Sequence, residues 1–333
     1  MENQYTKIQG FKIVSEQAEA LKGLGENIGK EIPIISEVGN DKFGAVVWFK
    51  QIIGLSINSF SLEQIPDEIF SFDTLKFLYL AYNKIKEIPS AISEMKNLVS
   101  LSLKGNKLKE LPLLPSTITS LDVSKNRISG HVKLNLPEIR KLNLGDNEIE
   151  DINFDSLPQG SVDELNLSAN LLKVLPESLS HLSIKKLDLK GNLLTSPDNF
   201  IPRSITYLDL SKNSLGPDLD FSSLGRFDHL TELNLSLNKI SHWKFSSDQF
   251  PNLEILRLTG NTFTSLPDEL TSLKKLKKIY AGGNRISDLP QNLCLKDGLE
   301  LLSLENNQIS ILPFWINEVR FEINLKKNPI RLV

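Results

Sequence analysis

The sequence predicts an α/β repeat protein: a curved, horseshoe-like solenoid with a parallel β-sheet on its concave side, short helical or extended segments on its convex side, and an N-terminal cap made of a helix and a β-hairpin. Three observations predict it. The pattern L-x-x-L-x-L-x-x-N-x-L recurs along the chain at intervals of 20 to 25 residues. Leu-Pro or Ile-Pro follows the asparagine in many turns, and residues 1–51 do not fit the pattern at all. A chain of 333 residues would ordinarily suggest two domains at about 100 to 200 residues each, but a repeat array grows along one dimension.

The pattern is carried by segments such as LKFLYLAYNKI, LVSLSLKGNKL, ITSLDVSKNRI, IRKLNLGDNEI and LEILRLTGNTF. Its asparagines are Asn83, Asn106, Asn126, Asn147, Asn170, Asn192, Asn213, Asn238, Asn261, Asn284, Asn307 and Asn328. An earlier turn, IIGLSINSFSL, fits the same frame with Phe60 in place of asparagine, so thirteen turns run from about Ile52 to Leu332. The two strand leucines, such as Leu187 and Leu189, alternate with period two and point to one face. That face is the core, and only stacked neighbours can cover it. The asparagine falls where the chain leaves the strand. A buried amide there must find backbone partners in its own turn and in the neighbouring coil, which predicts a ladder of amides.

Proline fixes φ and lacks a donor, so segments such as IPDEIFSFDTL, IPSAISEMKNL, LPESLSHL and LPDELTSLKKL predict extended returns and a loose turn, with no long convex helix. The shorter turns LPLLPSTITSLDVSKN, LPEIRKLNLGDN and IPRSITYLDLSKN predict almost no helix. The longest turn, SLGPDLDFSSLGRFDHL, predicts an outward bulge that carries Asp218 and Asp220 as loop residues.

Before the repeats, SEQAEALKGLGENIG places Ala18, Leu21, Leu24 and Ile28 at helical spacing, with Ser15 as a capping serine. IPIISEV, the turn signal GND and FGAVVWF read as two strands in a hairpin. Such a cap covers the apolar edge that a solenoid exposes at its start, and Phe60 suits a first turn that has no preceding coil to satisfy an amide. Residues 1–51 are therefore expected to form the N-terminal cap, 52–312 the solenoid, and 313–333 a degenerate last repeat that closes the other edge.

Composition narrows the function. Hydrophobic residues make up 40% and charged residues 24%, the balance of an ordinary folded chain. Net charge is -3, without a basic block to neutralise phosphates, so no nucleic-acid partner is expected; the same charge disfavours a membrane surface. The longest apolar run, FGAVVWF, is too short to cross a bilayer, and the N-terminal residues lack the pattern of a signal peptide. Cys294 is the only cysteine, which precludes an intrachain disulfide, so a cytoplasmic setting is the default.

No chemistry is expected either. His131, His181, His229 and His242 are scattered without metal-ligand spacing, and Gly23, Gly25 and Gly29 follow a helical pattern where a phosphate loop would follow a strand. Cys294 has no basic neighbour to activate it. The chain reads as a non-enzyme with no cofactor and no metal.

The L-x-x-L-x-L-x-x-N turns, with segments such as LPDEL and LPESL, are identified as leucine-rich repeats and resemble the intracellular class that includes Ras-suppressor-type scaffolds. The LPLLPSTITSLDVSKN turn is also similar to repeats of bacterial effector ubiquitin ligases, although no catalytic cysteine domain follows here. The cap, EALKGLGENIGKEIPIISEVGNDKFG running into IIGLSI, resembles the start of uncharacterised archaeal leucine-rich-repeat proteins. The resemblance implies that the concave sheet binds a protein partner.

Thirteen strands at about 4.8 Å spacing give an arc of roughly 60 Å, enough for a globular domain or an extended peptide. The positions between the strand leucines are Ser56, Tyr79, Ser102, Asp122, Asn143, Asn166, Asp188, Asp209, Asn234, Arg257, Tyr280, Ser303 and Asn324, all expected to be exposed. Phe77, Tyr79 and Tyr82 form an aromatic group that could anchor a partner or simply pack across turns. Asp122, Asp188 and Asp209 interleave with asparagines in an acceptor-rich stripe, for which a merely solvated face, partly neutralised by Lys104, Lys125, Lys190 and Lys212, is the favoured reading; Tyr207 is a further candidate contact. Ile255, Arg257, Tyr280 and Leu301 make a second mixed patch. The expected function is a monomeric protein–protein interaction scaffold; the alternative is the substrate-recognition arm of an enzyme complex, such as a ubiquitin ligase or small-GTPase regulator.

Overall fold

The structure, a computed structural model, describes residues 4–331 apart from 112, 156, 158–160, 198, 199 and 247; Pro112 of the LPLLPST segment and Leu332 lie outside the described residues. The chain divides into two compact units, Met1–Val162 and Asp163–Val333.

The first unit begins with an antiparallel hairpin of β1 (Tyr5–Ile8) and β2 (Phe11–Val14), followed by α1 (Ser15–Ile28), β3 (Phe43–Trp48) and β4 (Gln51–Ile57). After these come β5 (Phe77–Tyr79), β6 (Ser100–Ser102), β7 (Ser120–Asp122), β8 (Ser129–Lys133), β9 (Lys141–Asn143) and β10 (Glu148–Asn153). Strands β4, β5, β6, β7 and β9 are parallel neighbours in that order, and β3 pairs antiparallel with β4. β11 (Ser161–Asn166) runs across the division.

The second unit contains β12 (Ser183–Asp188), β13 (Tyr207–Asp209), β14 (Asp218–Asp220), β15 (Glu232–Asn234), β16 (His242–Lys244), β17 (Ile255–Arg257), β18 (Lys278–Tyr280), β19 (Leu301–Ser303) and β20 (Glu322–Asn324). Here β12, β13, β15, β17, β18, β19 and β20 form the parallel sheet. In both units the strand leucines are in register, for example Leu208 with Leu233 and Leu256, and they are fully buried.

The asparagines tie the coils together. Asn106 Nδ2 donates to the carbonyls of Leu80 and Leu103, both at 2.9 Å, and its Oδ1 accepts the Ile85 N–H at 3.0 Å. Asn261 repeats this with Leu235 (2.9 Å), Leu258 (3.0 Å) and the N–H of Ile240 (3.1 Å). The carbonyl of each such leucine accepts from two asparagines, its own and that of the next coil: Leu80 from Asn83 and Asn106, Leu258 from Asn261 and Asn284. Asn170 donates to Leu167 and Ser168 of its own turn. Most of these amides are buried; Asn126 and Asn328 make the same bonds from half-buried positions.

The residue before each ladder asparagine has positive φ. It is glycine at Gly105, Gly191, Gly260 and Gly283, and Tyr82, Lys125, Asp146, Ala169, Lys212, Leu237, Asn306 or Lys327 elsewhere. This left-handed step turns the chain out of the strand while its N–H still reaches the next coil, as Tyr82 does to Lys104 at 2.7 Å and Leu237 to Thr259 at 2.7 Å.

The return segments follow the prolines. Short 3-10 turns at Asp67–Ser71, Ser90–Glu94, Glu177–His181, Asp268–Ser272, Gln291–Leu295 and Phe314–Asn317 each start just after an extended proline. The proline carbonyl accepts the first bond of the turn, as Pro66 does from Ile69 and Pro267 from Leu270.

Three expectations are corrected. The 25-residue turn does not end in an irregular bulge: Asp218–Asp220 is strand β14, paired in parallel with β16, and β8 pairs with β10 in the same way. Leu219 and Trp243 are buried, while Asp218 faces His242 at 3.2 Å and Asp220 faces Lys244 at 3.8 Å. IPIISEV makes only an isolated bridge between Ile34 and Ala45, so the hairpin next to the repeats is β3–β4. Finally, Ser15 does not cap α1; Val14 stands at the cap without a side-chain bond, and Ser15 Oγ accepts from Thr6.

The first turn is not short of an amide. Asn58, two residues before Phe60, donates to Gly39 (2.7 Å) and Lys42 (2.8 Å) and accepts the Ala81 N–H at 2.7 Å. The segment around the GND turn thus stands in for a preceding coil. Gln17 of α1 docks the helix onto the first repeat by accepting the Ile52 N–H at 2.8 Å and donating to Asp73 at 2.9 Å.

Asn170→Ala and Asn261→Ala should each cost about 1–3 kcal/mol, because each leaves buried backbone groups without a partner. Thermal unfolding should show a lowered midpoint for both, and unchanged midpoints would contradict the role given to the ladder.

Candidate functional site

In each unit the face of the parallel sheet opposite the buried leucines carries the residues between them. They stand in register: Ser56, Tyr79, Ser102, Asp122 and Asn143 in the first unit, and Asp188, Asp209, Asn234, Arg257, Tyr280, Ser303 and Asn324 in the second. Asn166 occupies the same position on β11 and is half-buried. Not all of them are open to solvent: Ser56, Ser102, Asp209 and Ser303 are buried, Ser102 between Tyr79 and Asp122, and Asp209 beneath the Tyr207 hydroxyl and Asn234 side chain that bond to it.

The aromatic group owes its prominence to those small neighbours. Phe77 lies between Gly54 and Ser100, and Tyr79 lies between Ser56 and Ser102. Both rings are half-buried, and the Tyr79 hydroxyl is 3.3 Å from Ser100 Oγ. Tyr82, 46% exposed, leans across Gly105 of the next coil, where an added Cβ would come within 2.6 Å of the ring. Lys104 Nζ stands 5.9 Å from the Tyr82 ring centroid. Lateral packing and exposure thus coexist here, since one edge of Tyr82 covers a glycine while the rest faces outward.

The Asp and Asn residues have a structural duty. Each places its side-chain Oδ1 on the backbone N–H two residues later: Asp122 on Ser124 (3.0 Å), Asn143 on Gly145 (3.1 Å), Asn166 on Ser168 (2.8 Å), Asp188 on Lys190 (3.0 Å), Asp209 on Ser211 (2.8 Å) and Asn234 on Ser236 (3.1 Å). This Asx turn shapes the exit from the strand. One oxygen of each carboxylate is therefore already used. The second oxygen of Asp209 accepts from Asn234 Nδ2 (2.9 Å) and the Tyr207 hydroxyl (3.2 Å).

Asp188, Tyr207 and Asp209 are coupled. Burial raises the Asp188 carboxyl above the usual aspartate range and the neighbouring Asp209 charge adds to this, while the Lys190 N–H and its ammonium oppose it. Burial, together with the Asp209 and Asp188 carboxylates, also pushes the Tyr207 phenol well above its ordinary value. Glu164, Asn166, Lys186, Asp188 and Tyr207 line a shallow pocket of about 190 Å³.

In the mixed patch, Arg257 Nε donates to Glu232 at 2.9 Å, and its guanidinium stacks 4.6 Å from the Tyr280 ring centroid. Ile255 and Leu301 flank it, half-buried. The sequence reading did not single out the neighbouring column of ion pairs, Asp163–Lys185 at 2.5 Å, Glu164–Lys186 at 3.5 Å and Glu254–Lys277 at 2.8 Å. Its signal was opposite charge one repeat apart. Among the described residues, no group of three or more His, Cys, Asp or Glu side chains could hold a metal ion, and no helix is long and apolar enough to cross a membrane.

Family models described as leucine rich repeat match residues 51–108, 229–241 and 252–273. The chain is similar to the mouse leucine-rich repeat serine/threonine-protein kinase 1, 29% identical over 59% of this chain and 10% of that protein. It spans 10% of that protein's length and 41% of the length of mouse podocan, to which it is 29% identical. Among solved structures it resembles a leucine-rich-repeat protein of Leptospira interrogans (TM-score 0.60, 23% identity, 83% of this chain and 90% of that one). It also resembles a chain of the Drosophila Toll–Spatzle complex (TM-score 0.68, 22% identity, 84% and 45%).

Replacing Asp188 by Asn keeps the acceptor for the Lys190 N–H and removes a desolvated charge beside Asp209. The folded-state carboxyl of Asp188 titrates above its unfolded value, so the native state prefers it protonated, and its ionisation costs stability as pH rises through and beyond the aspartate range. Asp188→Asn should therefore melt at or above the wild-type temperature at neutral pH, with the difference vanishing in acid below the ordinary aspartate range. A lower midpoint for the variant at neutral pH would contradict this. Repeat pattern, hydrogen-bonded ladder and matches converge on one identification: the chain carries leucine-rich repeats and has the leucine-rich-repeat solenoid fold.

Proposed function

We propose that this chain is a protein–protein interaction scaffold that binds its partner on the open, concave face of the sheet. The observation that carries this reading is the in-register row of Tyr79 and its neighbours, with Phe77 and Tyr79 raised between glycine and serine residues on strands that the ladder holds rigid. Aromatic side chains on a fixed backbone lose little entropy on contact and bury much area, the usual make-up of an interface anchor. The candidate contact residues are Phe77, Tyr79, Tyr82, Asp122, Asn143, Asn166, Asp188, Tyr207, Asn234, Arg257 and Tyr280, while Ser102 and Asp209, which are buried, serve through the neighbours they support. Among them the aromatic group supplies binding energy, and the Asx-turn residues supply shape and hydrogen-bonding edges.

A monomer in the cytoplasm with no enzymatic activity fits this reading. Cys294, the single cysteine, is a free thiol that donates weakly to the Gln291 carbonyl at 3.1 Å. The similarity to Ras-suppressor-type scaffolds and to the starts of archaeal leucine-rich-repeat proteins belongs to the same proposal, as does the division into cap (1–51), solenoid (52–312) and closing repeat (313–333). The second reading, a substrate-recognition arm of an enzyme complex, uses the same face and places the chemistry on another chain or domain. Its support is the kinase in the name of a mouse relative of which this chain spans a tenth.

Tyr79→Ala combined with Tyr82→Ala should weaken partner capture at least tenfold, a loss of about 1.4 kcal/mol or more, while leaving the unfolding midpoint within a few degrees. Affinity capture with wild-type and variant chains side by side, followed by titration of the captured protein, measures it. Equal capture by the two chains would remove the aromatic group from the interface.

A further inference from the structure

The turn between β3 and β4 consists of two residues, Phe49 and Lys50, with φ of 44° and 65°. A turn with both central residues at positive φ is the place where Asn-Gly is favoured, because bulky side chains are strained there. This one carries phenylalanine and lysine. Phe49 is 83% exposed and its neighbour Trp48 is 62% exposed; their rings meet edge to face at 5.1 Å. No core position and no amide of the ladder depends on either ring.

Three lysines stand on the turn and on the adjoining β1–β2 hairpin; one of them, Lys7, also lines a cavity with Glu19, Glu26 and Glu31. Lys50 Nζ stands 4.2 Å from the ring centroid of Tyr5, which is itself exposed, and the Lys50 carbonyl accepts the Val14 N–H at 2.9 Å. Tyr5 faces Val14 across the β1–β2 hairpin, and Lys7 faces Lys12 in the next row on the same face. Ile13 points to the opposite, buried side. Two lysines directly opposite each other on paired strands repel. Among the described residues, Lys7, Lys12 and Lys50 make no ion pair, so three cations and three aromatic rings are left facing outward.

We propose that this tip docks the protein on an anionic phospholipid surface, with Trp48 and Phe49 entering the headgroup and acyl boundary and Lys7, Lys12 and Lys50 meeting the lipid phosphates and carboxylates. A turn whose two rings are this exposed matches a fluid surface better than a shaped pocket. Tryptophan and tyrosine prefer the bilayer interface, and a lysine stem can lie along apolar surface while its ammonium stays with the headgroups. The chain's net charge of -3 does not oppose this, because beyond a Debye length of about 8 Å at physiological salt the distant carboxylates are screened from the tip. The cytoplasmic leaflet is the anionic one, which agrees with the setting proposed above.

The test is partition of the full chain onto vesicles of equimolar phosphatidylcholine and phosphatidylserine, read by sedimentation and by tryptophan emission. Trp243 and Trp315 are only 4% and 2% exposed, so a blue shift on binding reports Trp48. Wild-type protein should bind these vesicles, bind pure phosphatidylcholine weakly and be released by salt. Trp48→Ser with Phe49→Ser should lose the shift and at least roughly tenfold in partition. Lys7→Gln with Lys12→Gln and Lys50→Gln should lose roughly a hundredfold, about fivefold for each lysine. Both variants should melt like the wild type, since the changed side chains are exposed. Absence of wild-type binding, variants that bind like the wild type, or a tip that captures a protein but not vesicles would each overturn the proposal. The Tyr79→Ala, Tyr82→Ala chain should bind vesicles normally, so failure here leaves the sheet-face reading standing.

Discussion

The structure depends on one hydrogen-bonding requirement: each coil must leave its short strand without abandoning buried backbone groups. Asparagine meets it because a single short side chain both donates and accepts. Its Nδ2 reaches two carbonyls, one in its own coil and one in the coil before, and its Oδ1 takes an N–H from that same earlier coil. Aspartate could only accept, and glutamine would place its amide one carbon too far. The geometry also demands a left-handed residue immediately before the asparagine, which glycine supplies freely and other residues supply at roughly 1–2 kcal/mol. That non-glycine residues occupy most of these positions shows how strongly the surrounding bonds hold the turn.

A backbone held in this way explains the chemistry of the open face. The small acceptors between the strand leucines continue the solution of the same turn, because their Oδ1 atoms satisfy N–H groups two residues later. An acidic stripe read as a binding feature is thus half spent on local structure, and what it offers a partner is the remaining oxygen, as in Asp188. The aromatic residues have no such duty in the turn. Phe77 and Tyr79 stand between smaller residues and stay half-buried, which suits them to the contact proposed above.

Much of this was legible in the sequence, because a ladder position repeats its residue type while a loop does not. The asparagines, the strand leucines and the prolines that open each 3-10 turn were all visible as periodic residues. Less legible were features made by one pair of neighbouring coils. In SLGPDLDF and ISHWKF the period-two alternation was present, but a three-residue strand is no stronger a signal than a polar loop until a second one lies beside it with Asp opposite His and Asp opposite Lys. At the cap, GND was correctly read as a turn and wrongly assigned to a hairpin. The carbonyls of Gly39 and of Lys42 just after the turn are occupied by Asn58, a contact across 16 to 19 residues that no local pattern encodes.

The ends of a ladder obey different physics from its interior. Inside, a residue such as Leu237 or Lys212 accepts positive φ because the bonds of two coils compel it. The Phe49–Lys50 turn also has positive φ at bulky residues, yet it joins two antiparallel strands, a connection that Asn-Gly makes with less strain. The equivalent turn of the β1–β2 hairpin, Gln9–Gly10, does use glycine at its second position. Two hairpins of the same cap thus solve the same connection differently, and the strained solution is the one that displays Trp48 and Phe49. On the reading proposed above the two rings meet a surface outside the fold, and Lys7 and Lys12 of the neighbouring hairpin, which make no ion pair among the described residues, suit one of negative charge.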